Sequence, residues 1–206
     1  MAVTPLRAAV VAVGSELVFG DGIDTNSAWL SRRLRGLGID PRLHLSCPDD
    51  LDAIVDGLES AAGKAEVVLV TGGLGPTRDD LTREAVARFL GVPLVEHAPS
   101  LEHIAALFAR FGREMSPSNA RQALLPEGAR VLVNEVGTAP AFAIERGPLL
   151  LYSLPGVPRE MHWLWDRYLA AELRARSPVA ALAERTFRTC EVPESKLGEL
   201  LRPLEE

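Results

Sequence analysis

Four stretches of this 206-residue chain bring together glycine, proline, hydroxyls and carboxylates in a way that suits phosphate chemistry. The first runs from Gly14-Ser15-Glu16 to Asp24-Thr25-Asn26-Ser27, and the second is Thr71-Gly72-Gly73-Leu74-Gly75-Pro76-Thr77 followed by Asp79-Asp80. The third is Gly137-Thr138-Ala139-Pro140, and the fourth Pro155-Gly156-Val157-Pro158-Arg159-Glu160-Met161. Glycine lets main chain come close to a phosphate or a ring. Backbone N–H groups stabilise charge on phosphorus oxygens, while carboxylates hold a metal or orient water. The second stretch carries the most information. Asp79 and Asp80 open a helix, where the helix dipole favours negative charge, and capping explains one acid but neither the second nor the glycines beside it. Plainer structural roles stand beside the chemical ones elsewhere: Asp24 or Thr25 as a helix cap, Glu16 as a solvated acid, and Pro158 as a stiff first turn.

Other chemistries are poorly served. The loop from Gly72 lacks the Gly-Lys-Ser/Thr ending of a phosphate-binding P-loop, and its glycines are too close for a dinucleotide fingerprint. No Gly-x-Ser-x-Gly elbow occurs. His44, His97, His103 and His162 have no His or Cys at ligand spacing, which excludes a zinc site. Trp29, Trp163 and Trp165 recur at helical spacing as packing residues, and Arg32, Arg33 and Arg35 form a solvated face. Cys47 and Cys190 are expected as buried or free thiols of a cytoplasmic protein.

The elements that must position these loops alternate along the chain. Ala8–Val13 and Val67–Val70 are unbroken apolar runs suited to strands buried on both faces. A weaker strand falls at Arg42–Cys47, and three close-set strands at Arg130–Val133, Ala141–Ile144 and Leu149–Ser153. Helices are expected after Asp24, after Asp49 or Asp50, over Leu81–Leu90, Ser100–Phe111 and Pro158–Leu173, with a short helical piece at Asn119–Leu125. This order predicts an α/β fold: a three-layer, mainly parallel sheet with helices on both faces and one antiparallel pair at its edge. Residues 1–175 form the domain, and 176–206 a strand–helix tail, the opening of a small module, with its strand at Glu184–Val192. Composition agrees with a globular domain, at 47% hydrophobic and 24% charged residues. A net charge of −6 argues against nucleic acid as partner. Neither a membrane-length apolar run nor a signal-peptide pattern is present, so a cytoplasmic protein with no membrane partner is expected.

Taken together and in order, the four stretches resemble the N-terminal domain of the competence/damage-inducible CinA family, whose molybdopterin-binding fold is shared with MoaB/MogA-like proteins. The resemblance covers roughly residues 7 to 175. It implies one of two activities: hydrolysis of the pyrophosphate of ADP-ribose or related dinucleotides, with a divalent metal (magnesium, manganese or cobalt) and potassium, or binding and adenylation of molybdopterin. A binding-only domain is a third reading. The resemblance aligns Asp80 with the acid that follows the glycine loop and Asp24 with that of the first loop. With Asp79 they make the expected catalytic and metal-holding cluster, supported by Glu16. The expected ligand contacts are Gly14, Ser15, Glu16 and Asn26 from the first stretch, and Thr71, Gly72, Gly73, Gly75, Pro76 and Thr77 from the second. Gly137, Thr138 and Pro140 follow from the third, and Pro155, Gly156, Pro158 and Glu160 from the fourth.

Two departures are visible. The family motif Gly-Thr-Ala-Pro-Gly ends here in Ala141, placing a Cβ where backbone is expected to approach the ligand. Gly72-Gly73-Leu74-Gly75 replaces the Gly-Gly-Thr-Gly of the MoaB/MogA branch. The amidase domain of longer relatives has no counterpart, so no amidase activity is expected. The partner is a small nucleotide or pterin phosphate. A homo-oligomer is also expected, since the tail carries Phe187, Val192, Leu197, Leu200 and Leu201.

Overall fold

A strand buried on both faces must be apolar on both, and β1 (Arg7–Val13) satisfies this: Ala8 and Val10 enter one core, Ala9 and Val11 the other. The computed structural model describes residues 4–110, 112–179 and 188–204. After β1 come α1 (Ser15–Phe19), α2 (Thr25–Gly36), β2 (Asp40–Cys47), α3 (Leu51–Ala62), β3 (Val67–Thr71) and α4 (Thr82–Leu90). Next are β4 (Leu94–Glu96), α5 (Ala98–Arg110), α6 (Pro117–Ala120), a 3-10 turn at Arg121–Ala123, β5 (Leu124–Pro126) and β6 (Arg130–Leu132). The chain then forms β7 (Ala141–Arg146), β8 (Leu149–Leu154) and α7 (Pro158–Leu164), which runs through a wide π turn at Trp165–Leu169 into α8 (Ala170–Arg176). α9 (Glu194–Leu201) lies in the tail and buries none of its residues.

The main sheet has the order β2-β1-β3-β8-β7-β6, with β2, β1, β3 and β8 parallel. One antiparallel pair is expected from the sequence; two are found, because β7 reverses direction against both β6 and β8. That reversal sets the site. Phe142, near the start of β7, lies beside Ser153 near the end of β8, so the chain entering β7 arrives at the rim where β1, β3 and β8 end. Such a rim is where open α/β sheets bind ligands.

Helices cover both faces. Leu30 and Leu34 of α2 pack on one side with Met161, Leu164, Trp165 and Leu169. Ile54 and Leu58 of α3 pack on the other with Ala85, Val86 and Leu90 of α4. The three-layer α/β architecture expected from the alternating elements is present. Asp50 caps α3 by accepting from the Ala53 N–H at 2.9 Å. The tryptophans are packing residues, as expected: Trp29 stacks on His162 and meets Trp165 edge-on.

Short elements escaped the sequence reading. β4 and β5 pair as a separate two-stranded sheet, and β5 takes Leu124–Pro126 out of the expected helical piece. Phe111, Phe187 and the 184–187 part of the expected tail strand lie outside the described residues; Arg188–Val192 is not a strand. Val192, Leu200 and Leu201 are exposed. Among the described residues, no helix is long and apolar enough to cross a membrane.

Candidate functional site

Three strand ends converge so closely that their junction is made of main chain. Gly72 adopts φ +99°, and a Cβ there would land on the Val13 carbonyl oxygen. A Cβ on Gly156 would press on the Gly72 Cα at 3.3 Å. Gly72 N–H donates to the Leu154 carbonyl at 3.0 Å, tying the ends of β3 and β8. The Asn26 amide donates to the Gly156 carbonyl at 2.8 Å and to Thr71 Oγ1 at 3.2 Å, and Thr71 Oγ1 donates to the Pro155 carbonyl at 3.2 Å. Asn26 and Thr71 thus clasp α2 to the strand ends.

The loop after β3 is held from below. Asp80 accepts from the N–H groups of Gly75 and Thr77 at 2.8 Å each and from the Thr77 hydroxyl at 2.7 Å. Thr82 Oγ1 donates to the Gly72 carbonyl at 2.8 Å. Arg83, only 1% exposed, donates to the carbonyls of Leu74 at 2.7 Å and Gly75 at 2.9 Å. Burial lowers the Arg83 pKa from its ordinary value, while Glu84 and Asp80 oppose that shift. A guanidinium remains a cation regardless, so a positive charge sits under the glycine loop.

The facing wall hangs on Asn134, which is also 1% exposed. Its amide nitrogen donates to the Ala139 carbonyl at 3.0 Å and to Glu160 Oε2 at 2.6 Å, and its oxygen accepts from Val136 N–H at 3.2 Å. Glu160 is half-buried at the start of α7. Desolvation raises its carboxyl above the usual range, against the opposing effects of the Asn134 hydrogen bond and of Arg159.

Between these walls lies a cavity of about 420 Å³, within the range of small-molecule sites. Among the described residues four carboxylates line it, Glu16, Asp49, Asp80 and Glu160, and no Lys, Arg or His does. A side pocket of about 200 Å³ shares Val13, Glu16 and Gly156 with it.

Of the expected ligand contacts, Gly14, Glu16, Gly72, Gly73, Gly75 and Pro76 line the main cavity. So do Asp80, Thr138, Pro155, Gly156 and Glu160. Asn26, Thr71 and Pro158 line the side pocket with Asp24. Ser15 instead locks Asp49 in a reciprocal pair: its N–H donates to Asp49 Oδ2 at 2.8 Å, and its hydroxyl accepts from Asp49 N–H at 3.0 Å. Thr77 lies outside the cavity lining and is occupied by Asp80. Gly137 faces a separate hollow with Arg159, and Pro140 another with His97 and His103.

The expected cluster of Asp24, Asp79 and Asp80 is not formed. Among the described residues, no three His, Cys, Asp or Glu side chains gather as metal ligands. Asp24 is committed to capping α2 through Ser27 N–H at 2.9 Å, Asp79 is exposed and lines no cavity, and both oxygens of Asp80 hold the loop. Ala141 also departs from expectation, because its side chain is fully buried in the core beside Leu132 and Leu154 and adds nothing to the cavity. Asp49, Arg83, Gln122 and Asn134 were missed. Each is a single polar residue in an ordinary stretch, and only the Asp49-Asp50 pair before a helix offered any signal.

Residues 9–175 match a family model described as "Probable molybdopterin binding domain". The chain is 41% identical over 200 residues to a CinA-like protein of Anaeromyxobacter sp. (strain Fw109-5), covering 97% of this chain and 48% of that one. It is 39% identical over 199 residues to a CinA-like protein of Dictyoglomus thermophilum, with the same coverage. The chain therefore spans about half the length of the curated relatives it matches. The structure of CinA from Thermoplasma acidophilum superimposes with a TM-score of 0.76 at 32% identity, over 81% of this chain and 97% of that one. The tungsten cofactor synthesizing protein MoaB from Pyrococcus furiosus shares the fold, with a TM-score of 0.54 at 19% identity over 85% of this chain and 97% of its own.

Proposed function

The chain belongs to the molybdopterin-binding-domain family, in its CinA branch, and from that premise we propose that the strand-end cavity binds ADP-ribose or a related dinucleotide and hydrolyses its pyrophosphate with a divalent metal. The observation that carries this reading is the charge of the cavity. Among the described residues, four carboxylates and no basic side chain line the space where a ligand would lie, which repels a bare diphosphate and suits one accompanied by a cation. Hard oxygen donors of this kind fit magnesium or manganese, which keep several waters and take few protein ligands besides substrate phosphates. That no three such side chains gather among the described residues accords with that habit.

Glu16 and Asp49, which line the cavity, would hold the metal, directly or through its waters. The metal would supply charge neutralisation at the bridging oxygens. The N–H groups of Gly73 and Leu74, which find no acceptor among the described residues, would hold phosphate oxygens, and Arg83 beneath them would add positive charge. Asp80 would keep those amides aimed. Glu160, its carboxyl raised by burial, would take the proton of the attacking water, since desolvation makes a carboxylate a stronger base than one in open solvent. Water adds to one phosphorus, the bridging P–O bond breaks, and AMP and ribose 5-phosphate leave. The side pocket, which shares Val13, Glu16 and Gly156 with the main cavity, would take the second half of a dinucleotide.

The description of the matched family favours a second reading, in which the ligand is a pterin phosphate. Incubation of the chain with ADP-ribose and magnesium, manganese or cobalt, with and without chelator and potassium, separates the two. AMP release that depends on metal is expected. No AMP under any of these conditions, together with calorimetric uptake of molybdopterin, would overturn the hydrolase in favour of the pterin site.

A further inference from the structure

Gln122 sits on the 3-10 turn before β5, is 1% exposed, and reaches the cavity wall between the glycine loop and Thr138. Its amide nitrogen lies 3.4 Å from the Leu74 carbonyl oxygen and 3.4 Å from Thr138 Oγ1. A carbonyl oxygen can only accept, so the nitrogen must face Leu74 and Oε1 is the free end of the amide. That oxygen is buried and takes no hydrogen bond, whereas buried polar atoms in folded proteins nearly always have a partner. The glutamine adds little as a loop support, because the Leu74 carbonyl already accepts from Arg83 at 2.7 Å.

We propose that Gln122 is a specificity-determining residue, whose Oε1 accepts a hydrogen bond from the uncharged part of the ligand, a sugar O–H or a heterocyclic N–H. The diphosphate of a dinucleotide is esterified on both phosphorus atoms, so its oxygens carry no proton at neutral pH and cannot supply that donor. The residue therefore distinguishes diphosphates by what they carry. A site built to accept from a ligand donor rejects the analogue that lacks it. This inference rests on the reading of the cavity as a nucleotide diphosphate site and adds the group that reads the nucleotide.

The test is calorimetry on the full chain with magnesium, using three uncleavable probes: the bridging-methylene analogue of ADP-ribose, its hypoxanthine counterpart, and methylenediphosphonate as its P,P′-dimethyl ester, which carries no proton on phosphorus oxygen at neutral pH. Gln122→Leu should weaken the ADP-ribose analogue on the order of tenfold and leave methylenediphosphonate unchanged. Gln122→Glu still presents an acceptor, so it should retain the ratio of the two affinities even though its charge lowers both. Equal losses by Gln122→Leu on the adenine and hypoxanthine analogues identify a sugar hydroxyl as the donor; a loss on the adenine analogue alone identifies the exocyclic amine. Equal weakening of all three probes would mean that Gln122 only supports the loop, and unchanged binding of all three would leave it without a role; either result overturns the proposal. If the parent chain binds no probe at all, the nucleotide reading itself falls and takes this inference with it.

Discussion

The two walls of the cavity are built by opposite means. The glycine loop from Gly72 to Thr77 is gripped by three side chains of the segment that follows it, Asp80, Thr82 and Arg83, each bonded to its main chain. The segment from Asn134 to Pro140 is folded around its own Asn134, and the same amide nitrogen that accomplishes this also holds Glu160. The first wall fixes backbone groups in place before any ligand arrives. The second couples the position of a loop to a single carboxylate. Preorganised donors and an adjustable acid are the two things that phosphoryl chemistry needs, and here they stand on separate pieces of chain.

Removing the grip from the first wall should have the largest effect. Arg83→Met leaves the Leu74 and Gly75 carbonyls without their charged donor and should destabilise the fold by about 3 kcal/mol. At about 2 to 4 °C per kcal/mol for a chain of this size, a thermal melt should fall by about 10 °C. A melt within 2 °C of the parent would show that the loop does not depend on Arg83.

A smaller loss of stability, about 2 kcal/mol, is expected for Asp80→Ala, accompanied by a fall in AMP release on the order of 100-fold. α4 begins at Thr82 with Leu81 at its cap, so a simple capping role for Asp80 does not describe its bonds. Hydrogen exchange sharpens the point. The Gly75 and Thr77 amides should lose protection in Asp80→Ala, and unchanged exchange there would refute the grip.

The smallest effect belongs to the second wall. Burial raises the Glu160 carboxyl above its ordinary 4.5, so the folded state binds that proton more tightly than the unfolded chain. Its contribution is full below the ordinary value and is lost as pH rises through the raised one. Stability contributed by this group therefore falls with pH across that window, opposite in sign to Glu66, which Arg7 holds below the usual range. Subtracting the denaturant-measured pH profile of Glu160→Gln from that of the parent should isolate the falling slope. Superimposable profiles would mean that Glu160 is not desolvated.

Sequence made some of this legible. The Val- and Ala-rich runs could only be strands buried on both faces, and the glycine-rich blocks had to sit at their ends. The antiparallel course of β7 was less accessible, because short connections between strands permit more than one pairing. β4 and β5, at three residues each, are too short for any periodicity. The acids Asp24, Asp79 and Asp80 were recognisable as types, but their partners were not: a carboxylate already committed to backbone N–H groups looks the same in sequence as a free one. Arg83 reads as one more charge on a helix, and only the fold turns it inward.

The junction of Val13, Gly72 and Gly156 bears on how such a pocket diversifies. A floor made of peptide groups has no side chains to exchange, and at Gly72 any replacement collides with a neighbouring carbonyl. Mutation cannot retune that surface; it can only keep it or break it. Whatever variation in ligand choice this scaffold supports must enter through the positions that overlook the floor, Gln122, Thr138, Glu160 and their neighbours, while the floor is inherited unchanged.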